Sequence, residues 1–242
     1  MVLSPVRRHP WWAAVALLLV LALVLVVARW AASGGEDDDG QPPRGPEGSA
    51  FYEPSSEQVA GGEHGSVIWS RPIVSGPTIG GSTHLVLYRS TGAKGETVPV
   101  SGVVTVPEGE APEGGWPVVS WGHGTTGMAD DCAPSRSQVD QTTGVYTSVM
   151  DEVTTGLVEQ GYAVVRTDYE GLGTPGAHTY MVRESQAHAV LDSVRAAAQV
   201  DGAEVTASSP VALAGYSQGG GASAAAAELA PSYAPELDLK GA

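Results

Sequence analysis

Hydrophobic positions change their period along this chain. From residue 11 to 28, "WWAAVALLLVLALVLVVA" is unbroken apolar sequence. It sits at the lower limit for a bilayer-spanning helix and is longer than most signal-peptide cores. Two alternating runs follow, "THLVLYRST" (83–91) and "TVPVSGVVTVP" (97–107), split by the turn-like "GAKGE". They predict an antiparallel hairpin. The pattern then turns to short apolar runs that end at or near glycine: "WPVVSWGHG" (116–124), "YAVVRTDYEG" (162–171) and "VALAG" (211–215). Such runs suit strands buried on both faces. Between them, "SVMDEVTTGLVEQ" (148–160) sets Val149, Val153 and Leu157 on one helical face, closed by Gly161. "SQAHAVLDSVRAAAQV" (185–200) reads as a helix with Ser185 at its N-cap, and another helix starts near residue 218. Strands alternating with helices predict an α/β fold: an antiparallel hairpin, then parallel strands joined by right-handed crossover helices.

The flanks of the apolar run divide the N-terminal part. Arg7, Arg8 and His9 precede it, while Arg29 and "EDDD" (36–39) follow, which fits an N-in, C-out orientation. Residues 1–10 form a basic N-terminal region and 11–30 a hydrophobic helix, either a retained membrane anchor or a signal-peptide core. Both fates put the rest outside the cytoplasm. Residues 31–50, rich in Gly, Pro and acid, are expected to be a disordered linker. The folded domain is expected over 51–242, beginning at "FYEP". A formal charge of −15 argues against a nucleic-acid partner, which needs clustered Lys and Arg. No CxxC or HExxH spacing occurs, so no zinc site is expected. Cys132, the single cysteine, is either a small buried hydrophobe or half of a disulfide.

"GYSQG" (215–219) matches G-x-S-x-G at the joint between a strand and a helix. Ser217 would occupy a strained turn there, with Gly215 and Gly219 removing side chains that would collide. The helix start behind it offers free N–H groups to a developing oxyanion. "GHGTTG" (122–127) ends the strand at 116–121 and is the matching loop. Gln218 with Gly124 or Thr125 are the candidate oxyanion donors, and His123 is expected to shape that loop by hydrogen bonding.

Taken with "FYEP", "YRST", "WGHGTTGMADDCAPS", "GYAVVRTDYEGLGTPGAHTYM", "LDSVRAAAQ" and "GYSQGGGASAAAAELAPSYAPELDLKGA", the chain resembles the secretory lipases of fungi and actinobacteria, within the α/β-hydrolase fold. The resemblance runs from about residue 51 to the end. It implies an extracellular triacylglycerol lipase or broad carboxylesterase with a lipid or other ester as substrate. No cofactor is implied. It also implies Ser217 as nucleophile, the 123–125 segment in the oxyanion hole, and a disulfide partner for Cys132.

A serine nucleophile needs a base, and an acid to orient it, in the chain order Ser, Asp or Glu, His. All six histidines precede Ser217. The triad acid and base are therefore expected beyond residue 242, making this the N-terminal portion of the fold. Asp168, His178 and His188 as triad members would break that order, and Asp168 reads better as a structural acceptor for loop N–H groups. The alternatives are a peptidase or polysaccharide-ester hydrolase of the same fold, or a non-catalytic, membrane-tethered module.

Overall fold

The computed structural model describes residues 41–73, 80–140 and 145–242. The expected N-terminal helix at 11–30 lies outside them. Among the described residues, no helix is long and apolar enough to cross a membrane.

Seven strands form one sheet in the order β1-β2-β3-β5-β4-β6-β7. They are β1 (Val67–Pro72), β2 (Gly81–Thr91), β3 (Thr97–Pro107), β4 (Val118–Gly122), β5 (Ala163–Thr167), β6 (Pro210–Gly215) and β7 (Asp238–Gly241). The hairpin is as expected: β2 and β3 pair in continuous register from Thr91↔Thr97 to Gly81↔Pro107. β1 adds an antiparallel strand outside it, and β3 meets β5 antiparallel. The pairs β5–β4, β4–β6 and β6–β7 are parallel. The connections carry α1 (Ser56–Ala60), α2 (Pro134–Asp140), α3 (Val145–Val158), α4 (Arg183–Ala197) and α5 (Gln218–Tyr233).

The period-two alternation of β2 and β3 divides their side chains between two cores. Val86, Tyr88, Val100 and Val104 face a large cluster with Val190, Val194, Ala222 and Ala226 of α4 and α5. Leu85, Leu87 and Val103 face a smaller one with Phe51, Tyr52 and Trp69. Strands covered on both faces must be apolar on both, as these runs are. The alanine run of α5 keeps that helix close to α4 and the sheet.

Three local expectations are corrected. On α3, Met150, Thr154 and Val158 are buried, whereas Val149 is 47% exposed. The buried row is thus one residue later than 149/153/157. Val158 packs against Val164 of β5, and the Thr154 hydroxyl is satisfied at 2.8 Å by the Met150 carbonyl, so a threonine can occupy the inner face. On α4, the N-cap is Val182 and not Ser185. Ser185 lies buried in the first turn, donating to Glu170 and contacting the Thr179 hydroxyl at 2.9 Å. The third concerns the expected linker. Residues 31–40 lie outside the described part, but 41–50 run along the outer edge of β1. The Ser70 N–H donates to the Pro43 carbonyl at 2.9 Å. Arg71 donates to the Pro46 carbonyl at 2.9 Å and pairs with Glu47 at 2.9 Å. An edge strand has unpaired backbone groups, and this segment occupies some of them.

Candidate active site

β4 is made before both of its neighbours, and β5 and β6 flank it on opposite sides. The strand order reverses there, which opens a crevice at the carboxyl ends of β4 and β6, where α/β sheets hold their ligands. Gly122 and Gly215 end those strands in register with each other.

The backbone turns sharply at this point. Ser217 caps α5 with φ 54° and ψ −115°, a region that costs a non-glycine residue on the order of 1–3 kcal/mol. Glycines make the turn possible by removing side chains. A Cβ on Gly219 would lie 1.9 Å from the Gly122 carbonyl oxygen, and one on Gly215 would lie 2.3 Å from that of Gly219. The Tyr216 N–H donates to the Gly122 carbonyl at 3.2 Å, tying the turn to β4. Ser217 is exposed. The Gln218 N–H, at the first position of α5, meets no acceptor among the described residues, as expected of a helix start.

The β4 arm is held from within. His123 is buried, and its Nδ1 lies 2.6 Å from the Gly124 carbonyl oxygen. Burial lowers its pKa to about 4, so the ring is neutral near pH 7 and Nδ1 carries the donated proton. Gly124 is buried beside it, while Thr125 is exposed, its hydroxyl 3.4 Å from that of Tyr180. The Tyr169 hydroxyl donates to the His123 carbonyl at 2.9 Å. The geometry brings Gly215, Tyr216 and Gly219 against Gly122, and Gly219 against the His123 N–H, directly beside the exposed Ser217.

Asp168 follows the end of β5 and is fully buried. It accepts from the Ser101 hydroxyl at 2.6 Å and from the Ser135 N–H at 3.2 Å and hydroxyl, joining β3, β5 and α2. Burial raises its pKa to about 6, against the opposing pull of those hydrogen bonds and of Arg166. No described histidine is among its partners. Among the described residues, no histidine hydrogen-bonds the Ser217 hydroxyl. His188 contacts the Thr91 carbonyl at 3.0 Å and stacks on Tyr233, while His178 meets the Glu170 carbonyl and the Gln218 carboxamide. Cys132 is a free thiol packed against Gly127. Tyr169 and His178 were not singled out by sequence as supports of the site. Their only signal is a loop with glycines at 171, 173 and 176, all at positive φ, directly after a buried strand.

This sheet order, with a serine turn at the reversal point, defines an α/β-hydrolase fold. The comparisons agree. The structure of Candida antarctica lipase A in its closed state superposes with a TM-score of 0.65 at 28% identity, over 78% of this chain and 43% of that one. Within the class, residues 136–242 match the family described as secretory lipase. Lipase A of Moesziomyces aphidis is 33% identical over 185 residues, covering 74% of this chain and 38% of that protein. A Mycobacterium tuberculosis protein named as a probable inactive lipase is 32% identical over 163 residues, 65% of this chain and 35% of that one. The chain is therefore a relative of the secretory lipases, and it spans less than two-fifths of the length of these curated relatives.

Proposed function

We propose that the protein is an extracytoplasmic serine ester hydrolase of the lipase or carboxylesterase type. The observation that carries this reading is the strained, exposed Ser217 at the strand-order reversal, beside a Gln218 N–H that meets no acceptor among the described residues. In this reading the Ser217 hydroxyl attacks an acyl carbonyl carbon and gives its proton to a general base. The oxyanion is held by the Gln218 N–H and an N–H from Gly124 or Thr125. Collapse expels the alcohol, which takes the proton, and water then releases the acid from the acyl-serine. The base and its orienting acid are groups other than the described histidines and Asp168. The apolar run 11–28 would direct the domain outward, as an anchor or as a cleaved signal.

A fluorophosphonate probe tests the nucleophile. In the active enzyme we expect labelling at Ser217, lost on Ser217→Ala. Labelling at another residue, or retained in the alanine variant, would refute the assignment. A second reading, a non-catalytic hydrolase-like module, is favoured by the relative named as inactive and by the absence, among the described residues, of a histidine bonded to the Ser217 hydroxyl. It predicts no labelling at Ser217.

A further inference from the structure

We infer that His178 is a positioning residue for the oxyanion cradle: it fixes the Gln218 side chain and, with it, the main-chain N–H at that residue. The inference rests on the hydrolase reading above.

The loop that leaves β5 folds back on itself. Gly171 sits at φ +65°, where a Cβ would lie 2.3 Å from the Ala177 carbonyl oxygen. The closed loop brings Tyr169 and His178 together, with ring centroids 6.1 Å apart and planes 21° from parallel. One ring serves each arm. Tyr169 holds the β4 arm through the His123 carbonyl and lies 4.4 Å, centroid to centroid, from the His123 ring. His178 holds the serine arm, its Nε2 3.4 Å from Gln218 Nε2.

The proton positions follow from the partners. His178 Nδ1 lies 3.1 Å from the Glu170 carbonyl oxygen, which can only accept. The neutral ring then carries its hydrogen on Nδ1, leaving Nε2 as an acceptor. A carboxamide N–H is the only part of Gln218 that can face it. Gln218 is buried, and its Oε1 has no hydrogen-bond partner among the described residues. The contact to His178 therefore sets the rotation of that side chain. Gln218 is also the first residue of α5, so a swing of its side chain disturbs the Ser217–Gln218 peptide that carries the N–H. A 3.4 Å contact is long, as catalytic supports often are before substrate tightens them.

The test needs no activity. Long-range proton–nitrogen spectra of the full chain in detergent micelles should show the neutral His178 ring protonated on Nδ1 and bare on Nε2. In His178→Phe, the Gln218 carboxamide signals and the Gln218 main-chain amide resonance should both shift. The same change made in a Gln218→Met background should add nothing, and His188→Phe should leave Gln218 unmoved. A hydrogen found on His178 Nε2, which wild-type protein alone reveals, overturns the inference. So does a Gln218 amide indifferent to His178→Phe. Failure of Ser217 to take up fluorophosphonate, with the tautomer as stated, instead counts against the hydrolase reading alone.

Discussion

Two buried titrating groups beside the site pull stability in opposite directions over one pH interval. His123 has a folded pKa of about 4, below its ordinary 6.5, because burial disfavours the cation. The folded state then binds fewer protons than the unfolded chain, and stability falls as pH drops from 6.5 toward 4. Asp168 has a folded pKa of about 6, above its ordinary 3.8, again through burial. Its contribution is present at low pH and is lost as pH rises toward 6. Each shift corresponds to about 3 kcal/mol, so the two nearly cancel in the wild type. We expect Asp168→Asn to lose about 3 kcal/mol more stability than wild type between pH 7 and pH 4. Urea midpoints across that range measure it, and parallel curves for the two proteins would refute the balance. At this scale the serine turn was legible, because steric demand fixes glycines two residues to either side. The roles of Tyr169 and His178 were not legible. Gln218 lies 40 residues from His178, and no local pattern records a bond made by tertiary folding.

Elements were legible where period and burial coincide. β2 and β3 emerged from their alternation nearly to the residue. β1 did not, since Val67, Ile68 and Trp69 run together and then give way to Ser70, Arg71 and Pro72, which is neither a period-two alternation nor a long apolar run. The helix α3 was found but rotated by one position, because a threonine whose hydroxyl bonds its own helix counts as polar in the sequence and as buried in the fold. This makes a direct test. Val158→Ala should cost about 2 kcal/mol, while Val149→Ala should change stability by less than about 0.5 kcal/mol. Thermal or chemical unfolding of the two variants decides it, and equal effects would restore the face read from sequence.

The whole molecule is built around a middle strand that must wait. β4 ends at Gly122, yet its partners β5 and β6 begin only at Ala163 and Pro210. A ribosome adding about 5–20 residues per second leaves the second slot open for several seconds. During that interval an apolar strand stands with an unpaired side, a known hazard for association with other chains. Chains released at residue 205 should be digested completely by protease, whereas the 242-residue chain should leave a resistant core starting near residue 41. A resistant product from the shorter chain would show that the sheet closes without β6. The two halves of the serine's cradle are thus separated in time as well as in sequence. The turn at Ser217 cannot close until Gly215 and Gly219 have emerged to meet Gly122, so that hydroxyl reaches its exposed, strained position only late in synthesis.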